Sequence, residues 1–576
     1  MIKQTFCTFV FFLVVCSLRL SAQLPDEYDL RDHDLVTPVK KQKSGTCWCH
    51  GTMSGIEGNL LVTGNWEAAG EQDEPNMAEY HLSYWNGFSQ CWNYDLYPRP
   101  DTGSGPPTHN GGDYKIFAAY MSRLEGSVRE VDAPGDLPLK IPSQDQIPLY
   151  KDTYHIWYVP DIDWFFIDGD GPQGSLENID TIKQVLMRNG VMPTNYLVGS
   201  SYMQDWNGYK THYQPPTSSG DANHSVAIVG WNDNCITKAG SSKKGAWLCK
   251  NSWGNIQDYF YISYYDKHCC RNAEMSVVAF KGVKLNPYSN VYYHDYHGWR
   301  DTLSIAKEAF NKFIADCDEP EYLTAVSFIT AVDHEEYEVK IYDNYENGEL
   351  KDELASVSGS IVHMGYHTRD LNHTVLLEDG DDFYIYVKFK NGFQAYDRTC
   401  SPPVLTETPP KDPIVVWSKA EADQSYYRTG PTEEWIDLTT YEETINVNGM
   451  IIDCQGSQNF CIKGYCTDQS TNVGAKCTPL KETSPIYNYP NPFASSTTIR
   501  YTISGKGAVS LALYSASGRK VRSLVDKQLS AGTYTASWNG RDTINRRVAN
   551  GVYYAVLTVK TATGIRTERT KLFLVK

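Results

Sequence analysis

A cysteine at the start of an apolar helix places the strongest limit on how this chain can fold. After Thr46 the apolar residues recur at helical spacing, as Trp48, Met53, Ile56 and Leu60. That period predicts a helix over residues 46–61 with one face against a core. Cys47 then lies in the first turn, where the partial positive charge of the helix dipole favours a thiolate. The sequence therefore predicts a globular domain that holds a reactive cysteine at a helix N-terminus.

Two predicted strands further along the chain carry polar residues that suit the same chemistry. Residues 224–231 and 246–250 run apolar or alternate with period two, as strands do. His224 opens the first strand, and Asn251 directly follows the second. A thiol, an imidazole and an amide are groups that nucleophilic catalysis uses together, so these residues predict a single site.

The local motifs around these residues resemble those of papain-like cysteine peptidases. The motifs are Gly45-Thr46-Cys47-Trp48, Asn223-His224-Ser225-Val226 with Val229-Gly230-Trp231, and Lys250-Asn251-Ser252-Trp253-Gly254. An extended arm over 24–40 precedes them, a helix is predicted over 179–189, and a strand is predicted over 259–265. The resemblance implies an α+β, two-lobed peptidase domain over residues 23–286 that acts on protein or peptide substrates.

The resemblance also implies a role for each matching residue. Cys47 is the nucleophile, His224 is the general base, and Asn251 holds His224 in its working tautomer. Trp253 shields that contact from water and lines the substrate site. The reaction is then hydrolysis of peptide bonds through a thioester acyl-enzyme.

Two further segments match the substrate-binding side of the family pattern. Gln42 and the backbone N–H of Cys47 would form the oxyanion hole. Asn110-Gly111-Gly112 resembles the glycine edge against which an extended substrate lies, so Gly111 and Gly112 are candidate substrate-binding residues. An ordinary turn is the alternative for this glycine pair.

Several departures from the family pattern fall close to the nucleophile. Gln42 is one position nearer to Cys47 than usual. The family cysteine just before the nucleophile is missing, and His109 replaces the cysteine before Asn-Gly-Gly. Because those two cysteines normally pair, their joint loss resembles the removal of one disulfide. His50, three residues past Cys47, is either a rival base or a filler of an aromatic packing site, and we favour packing.

Two stretches are longer than the family pattern. The separation of Cys47 from His224 exceeds the roughly 130–150 residues that are usual, which predicts a surface insertion. Residues 132–170, rich in Asp, Pro and Tyr, are the candidate, and a segment of this kind that blocked one end of the cleft would make an exopeptidase. A second insertion, 235–244, separates the histidine and asparagine motifs.

Residues 287–467 have the texture of an all-β domain. Short alternating stretches separated by turns, at 323–328, 337–342 and 383–387, predict a sandwich. Gly365-Tyr366-His367-Thr368 and Asn459-Phe460-Cys461-Ile462-Lys463-Gly464-Tyr465 resemble a lectin-like β-sandwich. Such a fold names no activity by itself, although a glycan ligand is one partner it could have. His367 is interpreted as a structural strand histidine rather than a ligand-binding residue.

A polar linker, 468–486, leads to a C-terminal module over 487–576. That module holds 14 Lys/Arg against 3 Asp/Glu, in a chain whose net charge is -17. Its Asn488-Tyr489-Pro490-Asn491-Pro492-Phe493 start and later motifs resemble the immunoglobulin-like sorting domain of the type IX secretion machinery. A plain immunoglobulin-like repeat is the alternative. Nucleic-acid binding is given little weight because the basic residues are not clustered.

The first 22 residues read as a signal peptide. Lys3 precedes an apolar run over 6–18, and Leu20-Ser21-Ala22 offers a cleavage site. No inhibitory propeptide is visible between this leader and the peptidase start. We therefore predict a secreted or cell-surface protein, exported across the inner membrane by the leader and across the outer membrane by the sorting domain.

The cysteine count is consistent with an oxidising compartment. Setting Cys47 and the leader cysteines aside leaves 12, an even number compatible with six disulfides. Zinc binding is the alternative for Cys269-Cys270 or for Cys461 with Cys466, but neither has paired spacing with partner histidines. No metal ion or cofactor is predicted.

The sequence thus favours a secreted papain-like cysteine endopeptidase with Cys47, His224 and Asn251 as its triad. A surface adhesin or glycan-binding protein with a catalytically weak peptidase scaffold is the alternative. Transglutaminase-type acyl transfer on the same triad is a third hypothesis, and it would incorporate amines faster than it hydrolyses.

Overall fold

The computed structural model describes residues 24–574 except 90–92, 97–104, 107, 134–148, 150, 152, 168–175, 177, 255–256, 272–274, 403–404, 406–413, 469–485, 490–495, 504, 516–518, 531, 550 and 562–563. The predicted leader, most of the predicted linker and the Pro490-Asn491-Pro492-Phe493 motif lie outside the described residues. The chain divides into two compact units between residues 474 and 475.

The peptidase region contains both helices and strands. Its helices are α1 (Cys47–Thr63), α2 (Asn65–Ala68), α3 (Glu79–Trp85), α4 (Tyr114–Ser122) and α5 (Ile179–Asn189). Its strands are β1 (Glu27–Asp29), β2 (Trp157–Tyr158), β3 (Asp161–Phe165), β4 (Met192–Tyr196), β5 (Met203–Trp206), β6 (Tyr209–His212), β7 (His224–Asn232), β8 (Ala246–Lys250), β9 (Tyr259–Ser263), β10 (Val277–Lys281) and β11 (Lys284–Leu285). The predicted helices over 46–61 and 179–189 and the three predicted strands are confirmed, with bounds shifted by two residues at most.

One sheet contains seven of the strands of the peptidase region. Its strand order is β1-β7-β8-β9-β6-β5, and β4 also pairs with β7. β7 is buried along its whole length because strands pair along both of its edges and α1 packs against it. An apolar core of Val226, Ile228, Trp231, Leu248 and Phe260 lies within this lobe, and a second core around Trp48, Met53, Phe117 and Trp157 lies among the helices.

The predicted surface insertion over 132–170 is wrong for the part of it that the structure describes. Trp157 and Tyr158 of β2 are fully buried, and β3 is buried along most of its length. β3 pairs antiparallel with β10, so it is a core strand of the fold. Because β2 and β3 are buried strands, they are not a surface loop that could block one end of the cleft.

The lectin-like region is a β-sandwich, as the alternating pattern predicts. Its strands are β12 (Asn290–Tyr292), β13 (Asp301–Leu303), β14 (Glu308–Ile314), β15 (Glu321–Thr330), β16 (Glu335–Glu346), β17 (Glu349–Ile361), β18 (Gly365–Leu377), β19 (Asp382–Phe389), β20 (Gln394–Asp397), β21 (Ser425–Arg428), β22 (Ile436–Asp437), β23 (Thr444–Val447), β24 (Met450–Asp453), β25 (Asn459–Phe460) and β26 (Lys463–Thr467). One sheet has the order β17-β16-β19-β14-β21-β22. The other contains β18-β15-β20-β13, joined by β12, β25 and β26, and apolar residues such as Phe313, Val339 and Phe383 fill the space between the sheets.

The second sheet of the sandwich continues into the peptidase region. β18 pairs with β3, which in turn pairs with β10, so the order β10-β3-β18-β15 crosses the predicted boundary near residue 287. His367 of β18 is held at this junction by side-chain hydrogen bonds. Its Nδ1–H donates to Asp161 over 2.8 Å, and its Nε2 lies 3.1 Å from the Thr330 hydroxyl. Peptidase and sandwich therefore share backbone hydrogen bonds.

The C-terminal unit consists of two antiparallel sheets. Its strands are β27 (Ile486–Tyr489), β28 (Thr497–Ile503), β29 (Gly507–Ser515), β30 (Lys520–Leu529), β31 (Gly532–Trp538), β32 (Gly551–Thr561) and β33 (Gly564–Leu574). The sheet orders are β27-β28-β31 and β30-β29-β32-β33. Leu511, Trp538 and Leu557 lie in the core of this unit, which has the all-β build expected of an immunoglobulin-like domain.

The six disulfides that the cysteine count allows are not formed among the described residues. The eleven described cysteines are thiols outside any disulfide, and ten of them are buried. The sulfur atoms of the neighbouring Cys269 and Cys270 lie 3.9 Å apart, well beyond a disulfide bond length. The described thiols are packed in the separate cores as small apolar groups, and burial raises the pKa of Cys235 to about 12 and that of Cys400 to about 11.

No helix of the described chain has the length and apolar character that a bilayer crossing requires.

Candidate active site

Cys47 is the first residue of α1, as predicted. Its side chain is almost buried, with an exposed fraction of 3%. Thr46 does not cap the helix, because its hydroxyl donates to the Lys43 carbonyl over 2.9 Å instead. The positive end of the α1 dipole therefore lies beside the Cys47 sulfur without a competing side-chain cap.

A close contact between α1 and β7 sets the position of Cys47 relative to His224. Gly51, one turn after Cys47, lies so near Ser225 that a Cβ at this position would meet the Ser225 hydroxyl. Tyr114 of α4 holds that hydroxyl with a hydrogen bond of 2.7 Å, and its own O–H lies 2.8 Å from the Thr194 carbonyl. Since Ser225 follows His224 directly, the glycine allows the nucleophile's helix to sit against the histidine strand.

His224, Asn251 and Trp253 form one stacked, hydrogen-bonded group. The Nε2–H of His224 donates to the side-chain oxygen of Asn251 over 2.9 Å. This bond leaves Nδ1 as the unprotonated nitrogen of the neutral ring. The indole of Trp253 stacks on the imidazole with ring centroids 4.9 Å apart. The structure thus brings together three of the residues that the motifs single out.

Burial strongly affects the ionisation of His224. The ring is 1% exposed, and desolvation lowers its pKa to about 4, although the hydrogen bond to Asn251 pulls the pKa upward. The charge of nearby His50 acts in the same direction as burial. A cationic His224 therefore needs a negative partner in the site, and a Cys47 thiolate would be such a partner.

Gln42 lies against the segment that follows β8 and contains Asn251 and Ser252. Its backbone N–H donates to the Ser252 carbonyl over 2.7 Å, and its side-chain oxygen accepts from the Ser252 hydroxyl over 2.6 Å. Its side-chain nitrogen donates to the Ser44 carbonyl over 2.9 Å. The amide nitrogen is thereby directed toward the loop that leads into Cys47, despite the shortened spacing.

The glycine edge lies beside that same loop. Gly45 donates to the His109 carbonyl over 2.9 Å and accepts from the Gly111 N–H over 2.8 Å. Gly112 packs so tightly on the Trp48 ring that a Cβ would overlap it. These backbone bonds hold together the two segments that a family disulfide normally joins, and His109 Nδ1 lies 2.8 Å from the Ser83 hydroxyl.

A buried charge network supports the site, and the sequence motifs did not reveal it. Lys40 contacts both Glu57 of α1 and Glu79 of α3, at 2.7 and 2.6 Å. Thr37 donates to Glu57 over 2.6 Å and accepts from Lys250 over 3.1 Å. Because Glu57 shares a helix with Cys47 and Lys250 precedes Asn251, the network ties the two sides of the site together. Charged residues at buried helix and strand positions were the only sequence signal for it.

His50 takes the packing role that the sequence favoured. Its Nδ1–H donates to the Thr46 carbonyl over 2.9 Å, and its ring meets Tyr80 edge-on. Burial lowers its pKa.

No group of three or more His, Cys, Asp or Glu side chains among the described residues is arranged to hold a metal ion.

Family models match three parts of the chain. The model described as papain family cysteine protease matches residues 171–280, which include His224 and Asn251. The lectin like domain model matches residues 291–466. The FlgD Ig-like domain model matches residues 494–563. The chain therefore contains a papain-family peptidase domain followed by a lectin-like domain, as the motifs indicated.

Curated relatives are cysteine proteases of low identity. The "Probable cysteine protease RD19B" of Arabidopsis thaliana is 29% identical over 239 residues, which are 40% of this chain and 55% of that protein. Cysteine proteinase 15A of Pisum sativum is 26% identical, with 45% of this chain and 63% of that protein covered. Procathepsin L of Rattus norvegicus is also 26% identical, with 41% and 58% covered. The chain thus spans between half and two thirds of the length of these relatives.

Two solved structures of one bacterial protein share the fold of both domains. The clostridial cysteine protease Cwp84 after propeptide cleavage is 24% identical, with a TM-score of 0.57 over 77% of this chain and 99% of that chain. The cysteine protease and lectin-like domains of Cwp84, a surface layer associated protein of Clostridium difficile, give the same TM-score and identity over 78% and 90%. The likeness establishes the fold of the peptidase and the sandwich.

Proposed function

We propose that this chain, with its papain-family peptidase domain and lectin-like domain, is a secreted cysteine endopeptidase. The observation that carries the proposal is the pair of His224 and Asn251, joined over 2.9 Å and covered by Trp253, beside the helix that begins at Cys47. A structural cysteine has no need of this surrounding machinery. The proposed roles are those that the family resemblance implies for Cys47, His224, Asn251, Gln42, Trp253, Gly111 and Gly112.

Acylation is the first half of the proposed reaction. The Cys47 thiolate attacks the scissile carbonyl carbon, a C–S bond forms, and the carbonyl oxygen becomes negatively charged. In this proposal the N–H of Cys47 and the side-chain amide of Gln42 donate to that oxygen, and one such donor is worth about 3 kcal/mol in the transition state. The C–N bond then breaks as protonated His224 gives its proton to the leaving amine. A thioester and a neutral His224 remain.

Deacylation reverses these proton movements. Neutral His224 takes a proton from water as the water oxygen attacks the thioester carbonyl. The C–S bond breaks, the carboxylic acid leaves, and Cys47 thiolate with protonated His224 is restored. Asn251 keeps Nε2 occupied throughout, so Nδ1 is the nitrogen that exchanges protons.

The charge state of the resting enzyme follows from burial. A lone imidazolium at this position is disfavoured, since desolvation holds the pKa of His224 near 4. A thiolate at Cys47 removes much of that penalty by Coulomb attraction. The two groups therefore ionise as a pair, by transfer of the thiol proton to His224.

Export is part of the proposal. The leader-like first 22 residues and the immunoglobulin-like C-terminal module favour a route through the type IX machinery to the medium or the cell surface. Cwp84 is a surface layer associated protein, which is in keeping with an extracellular enzyme. Its substrates would be proteins or peptides outside the cell.

Reaction of the full chain with a peptidyl epoxide under mild reduction tests the peptidase proposal. The thiolate opens the epoxide, so a C–S bond forms as a ring C–O bond breaks, and intact mass with peptide mapping locates the adduct. We expect a single adduct at Cys47 that is lost in Cys47→Ala and in His224→Ala. Absence of labelling, or equal labelling of the parent and His224→Ala, would contradict the proposed mechanism.

A binding protein with a weak peptidase scaffold is the second candidate. The lectin-like match over residues 291–466 supports a glycan ligand for the sandwich. Binding of the full chain to a glycan array, with no hydrolysis of any peptide library, would favour this candidate. Amine incorporation into glutamine peptides in excess of hydrolysis would instead indicate acyl transfer on the same triad.

A further inference from the structure

The glycine edge already carries a backbone partner from the sandwich region. The Leu405 N–H donates to the Gly112 carbonyl over 3.3 Å. Leu405 belongs to the chain between β20 and β21, far in sequence from the peptidase motifs. A substrate extended along this edge would use the same carbonyl, since backbone hydrogen bonds are how an extended peptide binds an edge.

The sandwich is anchored immediately next to Gly112. The Arg300 guanidinium lies 3.6 Å from the Asp113 carboxylate, and the Lys115 ammonium lies 4.0 Å from the centre of the Trp299 ring. Asp113 and Lys115 follow Gly112 in the chain. These contacts at the residues after Gly112 therefore fix the position of the sandwich relative to the glycine edge.

Described residues that flank Leu405 in the sequence are also hydrogen-bonded. Cys400 and Val416 exchange two backbone hydrogen bonds of 2.9 and 2.8 Å. Just beyond them, the Trp417 carbonyl accepts from the Asn93 side chain over 2.7 Å. These bonds fix the described residues on either side of Leu405 to the sandwich and to the peptidase.

The Leu405 side chain is buried in the apolar cluster that spans the peptidase and sandwich regions, and not in the core between the two sandwich sheets. It is 2% exposed, and the cluster contains Cys47 and Trp48 as well as Cys400 and Val416. Ala222, two residues before His224, packs against the same cluster. The cluster thus reaches both the nucleophile's helix and the segment that leads into the histidine strand.

We propose that Leu405 takes the place of a substrate residue on the glycine edge, which makes the sandwich a built-in competitor of the peptidase. This inference rests on the proposed peptidase function. Because the competitor is part of the same chain, it acts at a high effective concentration. A peptide substrate then binds only the fraction of molecules in which Leu405 has left Gly112, and its apparent affinity falls by that fraction.

Two thiol reagents separate access to the edge from reactivity of the nucleophile. A peptidyl epoxide must lie along the edge to react, whereas iodoacetamide needs only the Cys47 sulfur. The second-order rate of Cys47 labelling would be measured for the full chain and for Leu405→Pro, which has no N–H to donate. Leu405→Ala keeps the N–H and loses most of the side chain. Leu371→Ala, at a buried position of the sandwich core, controls for general loosening of the sandwich.

We expect Leu405→Pro to raise the epoxide rate about tenfold and Leu405→Ala about threefold, with iodoacetamide rates unchanged within about twofold. Leu371→Ala should leave both rates at the parent value. Equal epoxide rates in the parent and both Leu405 variants, with Cys47 still labelled, would overturn the self-occupied edge and leave the peptidase proposal standing. A similar rise in Leu371→Ala would also overturn it. If neither reagent labels Cys47 in any variant, the peptidase proposal itself fails, and this inference fails with it.

Discussion

At the scale of single residues, hydrogen bonds separate the two histidines near Cys47. His224 donates through Nε2 to Asn251, which leaves Nδ1 for proton transfer. His50 uses Nδ1 to bond the Thr46 carbonyl within its own helix. Burial lowers the pKa of both, so burial alone does not distinguish them. Their partners do, because only His224 has a side chain that fixes its tautomer.

Replacement of His50 by phenylalanine tests this difference. His50→Phe fills the same space beside Tyr80 and removes a titratable group, so we expect kcat/KM for a peptide substrate to stay within about threefold of the parent. His224→Gln should lose at least about 1000-fold, as removal of a triad base does. A folded His50→Phe protein that had lost activity as severely as His224→Gln would contradict the assignment of the base.

At the scale of elements, the contact of α1 with β7 decides the site geometry. Gly51 permits the approach, and Ser225, held by Tyr114, marks the point of contact. A side chain larger than hydrogen at Gly51 would push the helix away from the strand. Cys47 and His224 would move apart with it, since each lies within one turn or one residue of the contact.

The variant Gly51→Ala should therefore lose both stability and activity. Overpacking of this kind costs about 1–3 kcal/mol in the free energy of unfolding. The double variant Gly51→Ala with Ser225→Ala removes the clashing hydroxyl and leaves Pro193 Cβ, at 3.5 Å, as the nearest atom. Denaturant unfolding of both variants, with the rate of Cys47 labelling, measures the effect. Failure of the second substitution to restore most of the stability would show that the contact is not the cause.

At the scale of the whole peptidase–sandwich unit, the two regions meet over buried acids as well as over a shared sheet. Asp95 of the peptidase region accepts from the Lys419 N–H over 2.7 Å, near Asp295 and Asp397 of the sandwich. Burial raises the pKa of Asp95 to about 7, while the Lys419 bond and the Arg123 charge pull it downward. Burial also raises the pKa of Asp295 and Asp397.

The contribution of Asp95 to the stability of this unit should accordingly fall as the pH rises from about 4 to about 7. An acid whose folded pKa lies above its unfolded value of 3.8 binds its proton more tightly when folded, so ionisation favours unfolding across that window. Asp95→Asn removes the ionisation and keeps an acceptor for Lys419. We expect its Tm to equal the parent's near pH 4 and to exceed it by about 2–4 °C at pH 8. A constant difference across this range would contradict the role of Asp95.

Much of this protein was determined by local sequence. The helix at Cys47, the strands at His224 and before Asn251, and the alternating strands of the sandwich follow from side-chain periodicity, which is a local property. The peptidase and lectin-like domains could also be recognised from sequence, because their motifs are short and contiguous, and the family models confirm both. The leader and most of the linker lie outside the described residues and stay predictions.

Only the tertiary structure decided which distant segments meet. Residues 161–165 look like part of a polar insertion in sequence, yet they pair with β10 and β18 and become a core strand. An even cysteine count suggested disulfides, but pairing requires sulfur atoms at bonding distance, and even the neighbouring sulfurs of Cys269 and Cys270 lie 3.9 Å apart. Leu405 reaches the site from a segment with no motif, and Lys40 forms ion pairs with Glu57 and Glu79 that the motifs do not predict. Burial and backbone contact depend on packing partners that periodicity does not identify.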